Sequence, residues 1–230
     1  GEKCVLRLSY GWRHWYVCSY FAYKYREIMK EFWNERYAAP EFAYGETPNG
    51  FLQEQLPLLK PGKMLFPAEG EGRNAVFAAQ LGWEAHAFDF STAAAKKAER
   101  LASNRGVSIH YEVADLDAVK YPAETFDAMA LVFAHFPAAK RSSYHRNLGT
   151  FLKPGGIVLV EAFSKSHIRY NADGKAGGPR DPAKLYSREE LAQDFPGFEI
   201  ILLEETEVEL NEGLYHNGLS AVVRFIGKKL

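Results

Sequence analysis

The sequence predicts an α/β protein whose sheet is doubly wound and mostly parallel. Short apolar segments alternate with amphipathic ones between residues 63 and 163, and two later apolar segments are close enough in sequence to form an antiparallel hairpin. Strands that alternate with helices at this spacing pair in parallel through right-handed crossovers, and their helices cover both faces of the sheet. We therefore expect seven strands, of which the last two form an antiparallel hairpin.

The start of the chain differs in composition from the rest. Residues 1–25 are rich in aromatic side chains, and both cysteines, Cys4 and Cys18, lie there. Cysteines so placed build neither a disulfide framework nor a multi-cysteine zinc site that organises the fold, so a reducing compartment is the simplest interpretation. We expect residues 1–28 to be an aromatic-rich N-terminal extension and residues 29–230 to be the main domain.

The overall composition excludes several other classes of protein. The 230 residues include 28 Lys and Arg against 29 Asp and Glu, a formal charge of −1, which argues against a nucleic-acid binder that depends on net charge. Apolar residues make up 47% of the chain, and no apolar run approaches the ~20 residues that a membrane-spanning helix needs. We expect a soluble, cytoplasmic monomer or homodimer with no nucleic-acid or membrane partner.

The individual elements follow from the spacing of apolar residues. A helix is predicted over residues 26–38, a loop over 40–48, and a second short helix over 50–60 that stops at Pro61-Gly62. A turn at Lys153–Gly156 precedes the fifth strand. The remaining predictions in this part are strands at 64–66, 85–90, 107–113, 126–133 and 157–163, and helices at 73–81, 91–106 and 138–152.

The alternation stops after residue 163. A long connection rich in Gly, Pro and charged residues reaches Ser187, where a Ser-x-x-Glu capping box starts a short helix. Two strands are predicted at 198–210 and 219–227. The acidic run from Glu199 to Glu212 is expected to be one exposed face of an edge strand that resists unwanted pairing.

Small or acidic residues follow the first three strands, at the edge where a parallel sheet binds ligands. In the turn Ala68–Gly72, glycine backbone can approach a ligand below a helix N-terminus, although such residues also serve helix packing alone. Asp89 ends the second strand, where a carboxylate can accept hydrogen bonds from a ribose diol. Asp115 is placed to meet the amine of adenine, unless it only caps a turn. Their spacing indicates an adenosine-bearing ligand.

Seven motifs lie in order over the stretch from about Lys30 to Lys229. They are Trp33-Asn34-Glu35-Arg36-Tyr37 with Tyr44-Gly45 and Pro48-Asn49, Gly70-Glu71-Gly72-Arg73-Asn74, Phe88-Asp89-Phe90-Ser91, Ala114-Asp115-Leu116, Phe126-Asp127-Ala128, Leu152-Lys153-Pro154-Gly155-Gly156 and Gly177-Gly178-Pro179-Arg180. With these motifs the sequence resembles the class I S-adenosylmethionine-dependent methyltransferases, and more narrowly a tellurite-resistance-type small-molecule methyltransferase.

The resemblance implies a Rossmann-like fold, a small-molecule substrate and S-adenosyl-L-methionine as cofactor. It implies that the first turn faces the methionine half of the cofactor and that Phe133 forms the wall beside the sulfonium. The cofactor-binding residues that it implies are Tyr37, Ala68, Glu69, Gly70, Gly72, Asn74, Asp89, Phe90, Ser91, Asp115, Leu116 and Phe133.

The first turn departs from the family pattern at three positions. The family usually has an acid at the position of Phe66, a glycine at that of Ala68 and a small residue or cysteine at that of Glu69. The missing acid removes a carboxylate expected to hold the cofactor's ammonium group. Glu69 is expected to supply a substitute charge, unless it points to solvent.

The charge of this turn separates a methyl donor from a dinucleotide. A pyrophosphate needs backbone amides at a helix N-terminus in a site free of anions. Glu69 and Glu71 would repel a pyrophosphate but suit a sulfonium and an ammonium group. The sequence therefore favours the methyl donor.

Methyl transfer from a sulfonium is an in-line displacement, so the enzyme mainly aligns the reactants and excludes water. If the nucleophile carries a proton, His135 is the expected base, unless it is a structural histidine; His167 and His216 are expected at the surface. The long loop has an excess of positive charge, and Arg180 is the candidate contact for an anionic oxyanion, thiol or carboxylate substrate, unless the loop is merely solvated. The alternative function is a protein of the same fold that binds the cofactor with weak or no catalysis.

Overall fold

The computed structural model describes residues 24, 27–171 and 176–230. Its strands are β1 (Lys63–Pro67), β2 (Glu84–Asp89), β3 (His110–Val113), β4 (Phe126–Val132), β5 (Leu152–Phe163), β6 (Phe198–Glu212) and β7 (His216–Lys229). Its helices are α1 (residues 27–38), α2 (Gly50–Gln55), α3 (Arg73–Gln80), α4 (Thr92–Asn104), α5 (Ala138–Thr150) and α6 (Arg188–Asp194).

The seven strands form one sheet in the order β3-β2-β1-β4-β5-β7-β6. Strands β1 to β5 pair in parallel, while β7 runs antiparallel to both β5 and β6. The prediction of a doubly wound, mostly parallel sheet with a C-terminal antiparallel hairpin is therefore confirmed. The strand order reverses between β1 and β4, and such a switch point opens a crevice at the carboxyl ends of the strands.

Two apolar cores lie on the two faces of the sheet. The larger packs side chains such as Leu65, Met129 and Phe225 with residues of α5 and α6. The other packs Met64, Phe66 and residues of α2 and α3. Successive residues of β1 thus point into opposite cores. Because both faces of this strand are buried, its sequence is a continuous apolar run.

Several element boundaries differ from the predictions. Helix α2 ends at Gln55, and Pro57 then lies in a single 3-10 turn, Leu56–Leu58, because proline lacks the N–H that would continue the α-helix. Strand β3 begins only at His110, three residues later than predicted. The predicted turn at Lys153–Gly156 belongs instead to β5, which begins at Leu152 and carries a register shift against β4.

The long connection after β5 contains two short 3-10 helices, Lys165–Arg169 and Pro182–Lys184. The predicted capping box is present at the start of α6, where Ser187 and Glu190 exchange hydrogen bonds. Strand β6 lies at the edge of the sheet, and the glutamates along most of its length are exposed or half-buried. Glu212, at the end of the acidic run, is buried.

The predicted extension over residues 1–28, including Cys4 and Cys18, lies almost entirely outside the described residues. Within the described part of the chain, the structure has no helix that is both long and apolar enough to cross a membrane.

Candidate functional site

The turn after β1 has the tight backbone that its small residues suggested. Ala68, Gly70 and Gly72 have positive φ angles of 52°, 65° and 85°. A Cβ atom on Gly70 would lie 2.8 Å from the hydroxyl oxygen of Tyr37, and one on Gly72 would lie 2.6 Å from Cβ of Ala98. Gly72 therefore allows helix packing, whereas Gly70 allows close approach on the side that Tyr37 covers.

Asp89 lies beside this turn, at the end of β2. Its carboxylate accepts hydrogen bonds from the backbone N–H groups of Gly70 (3.2 Å) and Ser91 (2.9 Å). Burial raises the pKa of Asp89 to about 6, and the backbone hydrogen bonds only partly oppose that rise. The carboxylate of Asp89 is buried at the switch point of the sheet, so it is suited to accept hydrogen bonds from the hydroxyl groups of a bound ligand.

Glu69 is held at the start of α3. One oxygen of its carboxylate accepts from the backbone N–H groups of Asn74 and Ala75, both at 2.8 Å. Burial raises the pKa of Glu69 to about 7. The carboxylate of Glu69 therefore does not simply point to solvent but is held on the turn by the backbone and the side chain of the helix start.

Glu71 serves the architecture of the turn. It forms a buried ion pair with Lys97 at 2.7 Å and accepts from the backbone N–H of Ala43 at 2.8 Å. Lys97 also donates to the backbone carbonyl of Glu41. This pair ties the loop before α2 to the first turn, so the charge of Glu71 is compensated within the protein.

Phe66, which replaces the acid of the family pattern, is fully buried in the core that contains α2 and α3. It offers no polar atom to a ligand. Of the two glutamates of this turn, Glu71 pairs with Lys97. Glu69 makes no ion pair with a lysine or arginine among the described residues.

The side of the site predicted to bind adenine is formed by the segments after β2 and β3. Ser91 caps α4 by accepting from the N–H of Ala94 at 3.2 Å, and its hydroxyl donates to Asn34 of α1 at 2.7 Å. Asp115 accepts from the N–H of Asp117, the turn-capping arrangement left open by the sequence. Leu116 packs against the larger core, and the half-buried Phe90 directly precedes the Ser91 cap.

Helix α1 covers the site from the N-terminal side. The ring of Tyr37 stacks on that of Trp33 at 5.4 Å, and Arg36 donates to the hydroxyl of Tyr44 at 2.9 Å. Burial raises the pKa of Tyr37 well above its ordinary value, so the hydroxyl stays neutral beside Gly70. The structure thus brings Tyr37 to the turn, as the resemblance implied.

A cluster of rings lies past the ends of β4 and β5. Phe133, with a positive φ of 49°, stacks on Phe163 at 4.5 Å, and His216 meets the Phe133 ring edge-on at 4.7 Å. On its other side His216 lies 4.4 Å from the ring of Tyr44. These four rings form what we call the aromatic cluster: Tyr44, Phe133, Phe163 and His216.

His135 lies next to the aromatic cluster, with its ring parallel to that of Phe163 at 5.9 Å. Burial, with His216 and Lys184 nearby, lowers the pKa of His135 to about 3. Its Nδ1 atom is buried and has no hydrogen-bond partner among the described residues. His135 is therefore a neutral imidazole at physiological pH, and its Nδ1 is an unused polar atom.

The expectation that His167 and His216 lie at the surface is wrong. His167 is fully buried, accepts at Nδ1 from the N–H of Ala221 and donates from Nε2 to the carbonyl of Gly177. It anchors the long loop to β7. His216 is also buried, because the hairpin tip folds back onto the loop before α2, where the N–H of Leu214 donates to the carbonyl of Ala43.

A buried polar network supports His216, and this network was not predicted. Nδ1 of His216 lies 3.2 Å from a carboxylate oxygen of Glu212, which also pairs with Arg73 at 2.7 Å. Burial by itself would raise the pKa of Glu212, but the His216 hydrogen bond and the Arg73 charge lower it to about 2. The amide of Asn49 joins Glu212 to Glu161 at the end of β5.

The separation of its members along the chain made this network hard to predict. Its members come from α3, β5, the β6–β7 hairpin and the loop before α2, so no local spacing brings them together. The one local signal was Glu212 four residues before His216, across a turn.

The glycines of the long loop are fixed in place. A Cβ atom on Gly177 would lie 1.9 Å from the carbonyl oxygen of Tyr215, and one on Gly178 would lie 2.7 Å from the ring of Phe163. This loop therefore packs closely over the aromatic cluster at these two residues. Arg180, two positions later, is exposed to solvent.

Comparisons with known proteins agree with this geometry. Residues 67–156, less than half of the chain, match the model of a family described as "Methyltransferase domain". No curated protein matches the sequence. Among solved structures, the fold is similar to that of TehB from Haemophilus influenzae, with a TM-score of 0.63 and 16% identity over 87% of this chain and 67% of that one.

Two further solved structures cover most of both chains. A protein studied for the conversion of a disulfide bond into a thioacetal group during echinomycin biosynthesis has a TM-score of 0.70 and 19% identity, over 88% of this chain and 91% of that one. An S-adenosylmethionine-dependent methyltransferase from Methanosarcina mazei has a TM-score of 0.61 and 17% identity, over 80% and 99%. At these identities the likeness shows the fold.

The fold and the family match together indicate the class of protein. Residues 67–156 are similar to a methyltransferase domain, and the chain has the fold of solved S-adenosylmethionine-dependent methyltransferases. The matched segment runs from the end of β1 into β5, and so contains the first turn, Asp89, Asp115 and Phe133.

Proposed function

We propose that the protein transfers the methyl group of S-adenosyl-L-methionine to a small anionic molecule, such as an oxyanion, a thiolate or a carboxylate. The observation that carries this proposal is the pairing of Asp89 with the backbone of Gly70 at the switch point of the sheet. A ribose needs a carboxylate acceptor there, and a cationic donor is compatible with the acidic turn.

The residues present fit the cofactor. Asp89 would hold the ribose, Asp115, Leu116 and Phe90 would border the adenine, and Phe133 would lie beside the sulfonium. The donor supplies an electrophilic methyl group. The small residues and backbone that would complete the site are Ala68, Gly70, Gly72, Asn74 and Ser91.

The cofactor's ammonium group needs an anionic partner, and Phe66 cannot provide one. Glu69 supplies it in this proposal, because it is the acid of this turn that makes no ion pair with a lysine or arginine among the described residues, and a carboxylate can accept more hydrogen bonds than the two backbone ones it has. A neighbouring cation stabilises the ionised form of a buried carboxyl group, so the cofactor would hold Glu69 charged. Tyr37 would close this half of the site.

On the substrate side we assign His216 as the proton acceptor when the nucleophile arrives protonated. A carboxylate can only accept, so Glu212 fixes the N–H of His216 at Nδ1 and leaves the lone pair on Nε2. Burial lowers the pKa of His216 below its ordinary value, and the Glu212 carboxylate opposes that shift because it stabilises the protonated form that a general base must reach. His135 has no such carboxylate and is the neighbouring candidate, with a role in orienting the nucleophile through Nδ1.

Positive charge near the aromatic cluster supports an anionic substrate. The charge of Lys184 is among the causes that lower the pKa of His135, so it lies close to this side of the site. Arg180 follows the anchored glycines and is exposed, so it can contact a substrate at the entrance. The motif Gly177–Arg180 and the TehB-like fold are the support for the tellurite-resistance type of methyltransferase.

One experiment tests the proposed function, and variants of three residues test the role assigned to each of them. The purified chain is incubated with S-adenosyl-L-methionine and separate oxyanions, thiols and carboxylates, and formation of S-adenosyl-L-homocysteine is measured. We expect turnover with at least one of these. His216→Asn should lower kcat roughly a hundredfold, His135→Ala should lower it less, and Arg180→Ala should mainly raise KM.

A second candidate function rests on the altered turn. Phe66 is apolar and Glu69 also holds the start of α3, and these two observations favour a protein that binds the cofactor without turning it over. Binding of S-adenosyl-L-homocysteine with no turnover of any substrate class would favour this second function. Absence of binding would exclude both.

A further inference from the structure

A second cluster of ligating side chains lies at the opposite edge of the sheet. Glu84 is the first residue of β2, and His86 follows on the same face two positions later. His110, the first residue of β3, pairs in register with His86. Asp89 ends β2 at the other edge, so this cluster is separate from the candidate methyltransferase site.

The geometry of the three side chains is close to that of a metal site. The two imidazole rings stack at 4.5 Å, and Nε2 of His86 lies 2.9 Å from a carboxylate oxygen of Glu84. One ligating atom from each of the three residues lies within 4.8 Å of the others. Tetrahedral zinc with bonds of ~2.0–2.1 Å holds its ligand atoms about 3.3 Å apart. Small rotations of the exposed side chains of Glu84 and His110 would therefore close the site.

The cluster of Glu84, His86 and His110 is open to solvent on one side. The same two histidines border a surface cavity together with Glu112 and Tyr121, which leaves room for water as a further ligand. Lys63 now pairs with Glu84 at 3.1 Å, and an ion would displace its exposed ammonium group into solvent. Displacement of an exposed lysine costs little, because surface ion pairs contribute little to stability.

We propose that Glu84, His86 and His110 bind a divalent transition-metal ion. Two imidazoles and one carboxylate suit zinc, nickel, cobalt or copper, whereas magnesium and calcium prefer oxygen ligands alone. Bound there, the ion fastens the short edge strand β3 to β2. The metal site is independent of the proposed methyl transfer, since none of its ligands belongs to that machinery.

Calorimetric titration of the metal-free full chain with Zn²⁺, repeated with Mg²⁺, tests the proposal. We expect one equivalent of Zn²⁺ to bind, its affinity to fall at least tenfold in His86→Asn and in His110→Asn, and Mg²⁺ not to bind at the same concentration. Glu99→Gln is the matched control, because Glu99 borders the same cavity without belonging to the cluster, and it should bind Zn²⁺ like the wild type.

Thermal unfolding of each variant with and without Zn²⁺ distinguishes loss of zinc binding from loss of folding. The ion should raise the melting temperature of the wild type and of Glu99→Gln, and leave that of His110→Asn unchanged. Zinc binding that is as strong in the two histidine variants as in the wild type, or that is absent from the wild type, would overturn the proposal. Neither result would bear on turnover of the methyl donor.

Discussion

Asp89 is the residue on which the cofactor assignment depends most. Its carboxyl group is buried at the switch point, and burial raises its pKa to about 6. Only the ionised form can accept from both ribose hydroxyls. Protonation of the Asp89 carboxylate therefore weakens binding of the cofactor.

The affinity for S-adenosyl-L-homocysteine should therefore depend on pH in a defined direction. We expect the dissociation constant to rise as the pH falls through the pKa of Glu69, about 7, and to rise more steeply, by up to a further tenfold per pH unit, below the pKa of Asp89, about 6. Calorimetry across this range measures the effect. Asp89→Asn should keep only the change near pH 7 that Glu69 causes, and a wild-type profile with no further change through pH 6 would remove Asp89 from the ribose site.

The ionised carboxylate of Glu69 should lower the stability of the fold and strengthen cofactor binding. Burial raises its pKa to about 7, so the folded state favours the protonated form; this contribution to stability is fully present below the unfolded value of 4.5 and is lost as the pH rises through 7. Glu69→Gln, always neutral, should be more stable than the wild type above pH 7 in urea unfolding.

The same substitution should weaken S-adenosyl-L-homocysteine binding by roughly tenfold or more, because a charged hydrogen bond to the ammonium group is lost. Methylthioadenosine, which lacks that ammonium group, is the matched control ligand and should bind Glu69→Gln and wild type alike. Equal losses for both ligands would assign Glu69 to the structure of the turn alone.

At the scale of elements, the contact between α3 and α4 depends on Gly72. A Cβ atom there would lie 2.6 Å from Cβ of Ala98, and φ is 85°. Gly82 has a similar φ of 88°, yet a Cβ atom on it would meet nothing within 4 Å. The two glycines therefore separate the cost of the backbone angle from the cost of overpacking.

We expect Gly82→Ala to lower the free energy of unfolding by about 1–2 kcal/mol, the cost of a left-handed residue with a side chain. Gly72→Ala should lower it by roughly 1–3 kcal/mol more, because two helices must move apart. Urea unfolding of the two variants measures the difference. Equal losses would show that helix packing at Gly72 tolerates a methyl group.

Elements also show where sequence reasoning succeeds and where it stops. The alternation from Lys63 to Phe163 was predictable because local apolar spacing decides each strand and helix. The start of β3 and the end of α2 were not, since pairing partners and a 3-10 turn at Pro57 set those boundaries. The small residues of the first turn and Asp89 were visible as local motifs.

The substrate side was less visible because it is assembled over the whole molecule. The hairpin of β6 and β7 returns across the sheet, and its tip donates from the N–H of Leu214 to the carbonyl of Ala43. Asn49 then links Glu212 of the hairpin to Glu161 of β5. Histidines predicted at the surface are buried by these long-range contacts, which no local pattern encodes.

For the whole molecule, we propose that the crevice at the strand ends binds S-adenosyl-L-methionine through Asp89. Calorimetry with S-adenosyl-L-homocysteine on the wild type, Asp89→Asn and a control variant tests this proposal. The control is Asp127→Asn, because the carboxylate of Asp127 pairs with Lys153 at the opposite edge of the sheet. We expect one equivalent to bind to the wild type and to the control with equal affinity, and binding at least tenfold weaker in Asp89→Asn. Binding that Asp89→Asn leaves unchanged, or a wild type that does not bind, would contradict it.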